Sequence, residues 1–308
     1  MAKPRLLNSH SKKWESYKLF LYVLPCLIFI FIFKYLPLWG WSYAFFQYKP
    51  GRSLLNCSFV GLQNFTALFG NAVMRNNLLR VLRNTFGIQI LNYLLMPVPM
   101  LFAIFLSEIK STKFQKAVQT LTTLPHFISW VIMFSLATSL FGNSGVVNAV
   151  LKNFGVEGIN ILTTDQHVWL IQSLLALWKS LGWSAIIYFA AITGLDQEVY
   201  EAAMVDGASR WQKIRYITIP LLIPTFFVLL IMGIGNFLNS GIDQFLAFGN
   251  AMNKEYIEVL DLYVYNLGIG NGQISFSVAV GMMKSLVAVV LFACANFASK
   301  KIRGTSVF

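Results

Sequence analysis

Along the chain, long apolar runs alternate with short polar segments, and six of the runs reach the about 20 residues that an α-helix needs to cross a bilayer. They lie at about 19–40, 85–107, 117–141, 167–193, 219–240 and 277–298, each bounded by charge, Pro or Gly. The first opens with Leu19 to Phe33, a stretch without charge behind a basic, polar leader. Lys34, Tyr35, Pro37 and Trp39 follow it in place of a small-residue cleavage site, so it predicts a span and not a signal peptide. The pattern predicts an all-α, polytopic membrane protein with an N-terminal segment 1–18, a six-helix transmembrane domain 19–298 and a tail 299–308. No polar segment exceeds about 45 residues, which leaves no room for a separate catalytic or nucleotide-binding domain.

Composition supports the pattern. Hydrophobic residues make up 56% of the 308 and charged residues 12%, too few to cover a water-facing surface. The net charge of +12 has no polar domain on which to gather, which argues against a nucleic-acid binder. Six spans place both termini on one side, and that side collects 14 Lys and Arg against seven on the other. The positive-inside rule therefore predicts cytoplasmic termini and a cytoplasmic segment 194–218. Three of the seven, Arg75, Arg80 and Arg83, alternate with Met74, Leu78, Leu79 and Leu82, a pattern expected of a helix lying at the outer interface. Gly268, Gly270 and Gly272 lack the Lys-Ser/Thr of a phosphate-binding loop and predict a flexible outer turn. Cys26, Cys57, Cys294, His10, His126 and His167 are scattered, so no metal site is expected.

The most organised polar segment is TGLDQEVYEAAMVDGASRWQKIRYITIP, residues 193–220. Asp196 can cap a short helix with Val199, Ala202 and Ala203 on one face, and Asp206-Gly207 supplies a stop. Ser209 and Gln212 have capping-box spacing for a second helix, and Pro220 marks its junction with the fifth span. A helix, a tight turn and a helix follow, either an elbow lying on the membrane surface or a docking knob for a partner protein.

Glu201-Ala202-Ala203, Asp206-Gly207-Ala208 and Ile217-x-x-Pro220 together resemble the EAA loop of binding-protein-dependent ATP-binding cassette (ABC) importer permeases. FVGLQNFTALF (59–69), Asn84-Thr85, LPHFISW (124–130) and LWKSLGW (177–183) are similar to the carbohydrate-uptake permeases, especially the polysaccharide and oligosaccharide branch. Ile214 departs from the family, which often has an aromatic residue there. The resemblance implies a type I ABC importer permease in a bacterial plasma membrane, with the EAA loop coupled to a cytoplasmic ATPase. It also implies a second homologous permease subunit, two cytoplasmic ATP-binding subunits that hold ATP and Mg, and an extracytoplasmic solute-binding protein. This chain is then no enzyme and binds no cofactor of its own.

Within the spans, Lys34 is expected to snorkel, whereas Lys179 and Lys284 lie deeper and either face a translocation path or bond a neighbouring helix. Trp183, Asn236, Asn239 and Gln244 are the side chains best suited to a sugar, through an aromatic face or amides. All 12 acidic residues lie outside the expected spans, which disfavours a proton-coupled secondary transporter. The absence of a carboxylate pair or activated nucleophile disfavours a membrane enzyme. The same importer type carrying a peptide or amino acid stays open.

Overall fold

A computed structural model describes residues 9–156, 158, 161–162 and 164–303. Residues 1–8 of the expected leader and 304–308 of the expected tail lie outside the described residues. The fold is all-α; an isolated antiparallel bridge between Phe46 and Phe59 is the β pairing recorded among the described residues. Helix α1 (Ser9–Ile30) continues through a widened turn, Phe31–Tyr35, and a 3-10 stretch, Leu36–Phe45. Next come α2 (Gln63–Gly70), α3 (Ala72–Leu95), α4 (Pro97–Ser107), α5 (Thr112–Thr123), α6 (Trp130–Phe141), α7 (Val146–Asn153) and α8 (Val168–Thr193). The remainder is α9 (Gln197–Val205), α10 (Arg210–Lys213), α11 (Ile219–Gly235), α12 (Asp243–Phe248), α13 (Lys254–Ile257), α14 (Leu260–Tyr265) and α15 (Ile274–Arg303). Six described helical segments are long and apolar enough to cross a membrane: Tyr17–Phe45, Ala72–Ser107, Trp130–Asn153, Val168–Thr193, Arg210–Gly235 and Ile274–Phe297.

The third of these departs from the expected 117–141. Inside that apolar run, Pro125 has no N–H to continue α5, and a 3-10 turn, Leu124–Phe127, ends it. Ser129 then restarts the helix as an N-cap, its hydroxyl accepting from the Ile132 amide at 3.3 Å. The span is therefore α6 and α7, and α5 packs beside α8 as a separate helix.

The arginine-rich stretch is also no separate helix. It forms the first half of α3, inside the 36-residue second span, and two of its charges, Arg80 and Arg83, have protein partners. Arg80 Nη2 pairs with Glu258 Oε2 at 2.5 Å, and the Arg83 guanidinium lies 5.2 Å from the Tyr256 ring centre and 5.9 Å from that of Trp169. Arg80 is thus held by a carboxylate and Arg83 by two aromatic faces.

Residues 241–276, expected as a loop, hold much of the core. Phe245, Phe248, Ile257, Val259 and Leu262 pack with Ile88, Ala137 and Val168, while Leu260, Tyr263 and Leu267 pack with Leu68, Val81 and Phe276. Asn84 Nδ2 donates to the Glu255 and Glu258 carbonyls at 2.7 and 3.1 Å, and Leu260 N donates to Thr85 Oγ1 at 2.9 Å, so the segment is tied to α3. In the glycine-rich turn, Gly268 is buried, and a Cβ there would lie 2.7 Å from Ser277 Oγ, whereas Gly270 is exposed and Gly272 turns the chain at φ +68°. A third cluster, Met100, Ala103, Ile104, Ala185, Tyr188, Ile214 and Leu222, lies beneath residues 194–218, so the buried side chain of Ile214 anchors that segment.

Candidate functional site

Residues 194–218 fold as their local signals dictate. The Asp196 carboxylate caps α9, accepting from the Glu198 amide at 2.9 Å. At its other end, Ala208 N donates to the Ala203 carbonyl and Gly207 N to that of Met204, a Schellman closure with Gly207 at φ +77°. Ser209 and Gln212 form the expected capping box at the start of α10. Pro220 does not break the chain. Its missing N–H is absorbed by a widened turn, Ile214–Thr218, in which Ile219 N reaches back to the Ile214 carbonyl, and the helix runs on into α11. Tyr200 Oη and Thr218 Oγ1, 2.9 Å apart, brace α9 against that turn.

This braced element exposes apolar side chains. No residue of α9 is buried; Val205 is 88% exposed, and Met204, Trp211 and Tyr216 also face outward. Glu201, Ala202, Asp206 and Gly207 are exposed, whereas Ala203, Ala208 and Ile217 are half-buried. Apolar groups on a preformed projection suit protein contact, since little ordering entropy remains to be lost on binding.

A second feature lies between the spans. A cavity of about 500 Å³ is lined by α3, α4, α8 and Leu229 of α11, with Asn92, Ser173, Ser180, Trp183, Ser184 and Tyr188 as its polar and aromatic groups. The Tyr188 hydroxyl is buried without a hydrogen-bond partner among the described residues. Of the sequence-selected path residues, Trp183 alone lines this cavity, its ring stacked parallel to His126 at 4.5 Å.

The other selected residues are placed differently. Lys179 Nζ donates to the carbonyls of Pro125, His126 and Ile128 and lies 5.4 Å from the Trp130 ring centre, so it caps the break between α5 and α6. Lys284 pairs with Asp261, whose other oxygen accepts from Ser240 N at 2.8 Å and Gly241 N at 3.1 Å. Gln244 is buried and bonded to Gln172 at 2.8 and 2.9 Å. Asn236 and Asn239 follow α11 and bond to one another at 3.2 Å. Sequence reasoning passed over Ser173, Ser180, Ser184 and Tyr188, although steps of seven, four and four place them on one face of α8. Among the described residues, no three His, Cys, Asp or Glu side chains are grouped as metal ligands would be.

Comparison with known proteins adds to this geometry. The family model for "Binding-protein-dependent transport system inner membrane component" matches residues 96–304. The polygalacturonan/rhamnogalacturonan transport system permease protein YteP of Bacillus subtilis (strain 168) is 40% identical over 285 residues, 92% of this chain and 88% of its own. The arabinooligosaccharides transport system permease protein AraP of the same organism is 29% identical over 286 residues, covering 92% and 87%. One chain of a bacterial alginate ABC transporter, solved in complex with its alginate pentasaccharide-bound periplasmic protein, superposes with a TM-score of 0.84 at 33% identity. That match covers 99% of this chain and all of the other.

Proposed function

The chain belongs to the family of binding-protein-dependent transport system inner membrane components, and from that premise we propose that it lines half the pore of an ATP-driven oligosaccharide importer. It is a multi-pass membrane protein with the fold of a type I ABC importer permease. The observation that carries the proposal is the braced, apolar and exposed helix–turn–helix at one end of the bundle, with Glu201-Ala202-Ala203 and Asp206-Gly207-Ala208 at its turn. A preformed projection of this kind can transmit a push from a soluble partner into α8 and α11, because Ile214 and Leu222 beneath it pack on Ala185 and Tyr188.

In this reading, two ATP-binding subunits on the cytoplasmic side receive the projection and hold ATP and Mg, and ATP hydrolysis belongs to them. A second homologous permease completes the pore, and an extracytoplasmic binding protein delivers the sugar. The names of the relatives support a carbohydrate cargo. The cavity beside Trp183 offers an aromatic ring and three serine hydroxyls along its path, groups that suit a sugar's C–H faces and hydroxyls. The charge asymmetry of the loops supports a bacterial plasma-membrane protein with cytoplasmic termini.

Thiol labelling tests the orientation on which this rests. In a chain with Cys26, Cys57 and Cys294 replaced by Ala, Asn271→Cys is expected to react with an impermeant reagent in intact cells, and Val205→Cys only after permeabilisation. Labelling of Val205→Cys from outside would place the projection on the wrong side for an ATPase.

A further inference from the structure

The end of the bundle opposite residues 194–218 carries a groove with polar lining. A cavity of about 530 Å³ lies between the start of α3 and the segment from α13 to α15, and a second of about 200 Å³ adjoins it. Lys254, Glu258 and Asn266 line both, so the two form one trough rather than separate pits. Its combined size falls in the range of small-ligand sites, about 300–1000 Å³.

The chemistry of the lining narrows the ligand. Asn77, Asn266, Asn271 and Gln273 present amides, each able to donate to and accept from hydroxyls. Arg80 is committed to Glu258 Oε2, and Glu258 Oε1 accepts from Asn266 at 2.9 Å, so that pair is internally neutralised. Burial, then the Glu258 carboxylate, pushes the Tyr263 phenol up, with Arg80 pulling the other way, so Tyr263 stays a neutral wall of the trough. Lys254 is left exposed, without an ion pair among the described residues, and gives the trough a net positive charge. The floor is preformed, because Asn84 and Thr85 hold the backbone of Glu255, Glu258 and Leu260 against α3. A preformed trough rich in amides and bearing one free cation selects for a hydroxylated anionic chain.

We propose that this groove is a reception subsite for an acidic oligosaccharide, met before the cavity beside Trp183, with Lys254 pairing a sugar carboxylate. The proposal rests on the importer reading above and deepens it by naming the charge of the cargo. One matched structure belongs to a transporter for the import of the acidic polysaccharide alginate, which agrees in charge. The intramembrane lysines do not serve this purpose, since Lys179 faces backbone carbonyls and Lys284 faces Asp261.

Equilibrium dialysis of labelled trigalacturonate against the complete complex in lipid nanodiscs, without the binding protein, tests the subsite. Lys254→Met, an exposed change, is expected to weaken binding about tenfold, the effect of one charge-assisted contact, and Lys254→Arg to restore it. The methyl ester of trigalacturonate should bind the intact and Lys254→Met complexes alike. Equal binding of the free acid by both complexes, or equal loss of acid and ester, overturns the proposal. Weakened docking of the empty binding protein to the Lys254→Met complex overturns it too, because the groove then recognises a protein. An intact complex that imports trigalacturonate without Lys254-dependent binding sinks the subsite alone; one that imports no sugar sinks the importer reading beneath it.

Discussion

Replacing Gly182 with valine is expected to leave no stably folded permease in the membrane. At Gly182, α8 touches the backbone of α5: a Cβ would lie 2.4 Å from the carbonyl carbon and oxygen of Thr122 and 2.6 Å from Thr123 N. Backbone cannot swing aside as a side chain can, so the penalty exceeds the about 1–3 kcal/mol typical of an overpacked core. Small residues permit such approach where helices pack in lipid. Lys179 lies three residues before Gly182 and four before Trp183 on α8, and all three hold the break after α5. Lys179→Met should weaken the same joint by freeing three carbonyls, at a cost of several kcal/mol where water is scarce. Uptake of acidic and neutral sugars should then fall together. The yield of monodisperse protein and its thermal midpoint in detergent check both variants. A Gly182→Val protein of intact yield and stability would show that α5 and α8 do not meet this way.

Gly207→Val is expected to do the opposite, sparing the fold and stopping transport. Here a Cβ meets nothing within 4 Å, but φ is +77°, a conformation that costs a β-branched residue about 1–3 kcal/mol. The Schellman closure between Ala203 and Ala208 would loosen, while the buried cluster that anchors the segment through Ile214 is built from other residues. Insertion and complex yield should therefore stay normal, and ATP hydrolysis stimulated by the sugar-loaded binding protein should fall at least about tenfold, as for a lost interaction of about 1.4 kcal/mol or more. Glu201→Ala, which leaves the backbone alone, should give a smaller loss in the same assay. Undiminished hydrolysis and uptake in Gly207→Val would make the projection a mere elbow.

The two glycines differ in how legible they were from sequence. The caps that shape residues 194–218 span few positions, as with Asp196 to Glu198 and Ser209 to Gln212, so capping rules recover the segment, though not its anchoring through Ile214. Gly182 acquires its meaning from Thr122, on a helix that hydropathy merged into the third span, since an apolar average hides Pro125 and Ser129. The core within 241–276 was hidden because its apolar runs, such as FLAF and VLDLYVY, are too short to read as spans. The partners of Arg80 and Lys284 were hidden because Glu258 and Asp261 lie 178 and 23 residues away and meet them only once the helices are packed. The serine face of α8 was readable by period, but its polarity is mild and an aromatic was favoured in its place.

ATP-driven accumulation of sugar by the complete complex tests the central claim most directly. The chain would be purified with the partners that elute beside it, reconstituted in liposomes, and supplied with the sugar-loaded binding protein on one face and ATP on the other. The predicted result is accumulation of trigalacturonate or another oligosaccharide against its gradient, lost when either ATP or the binding protein is left out. Sugar movement driven by an ion gradient without ATP, or accumulation of amino acids or peptides in place of sugars, would contradict it.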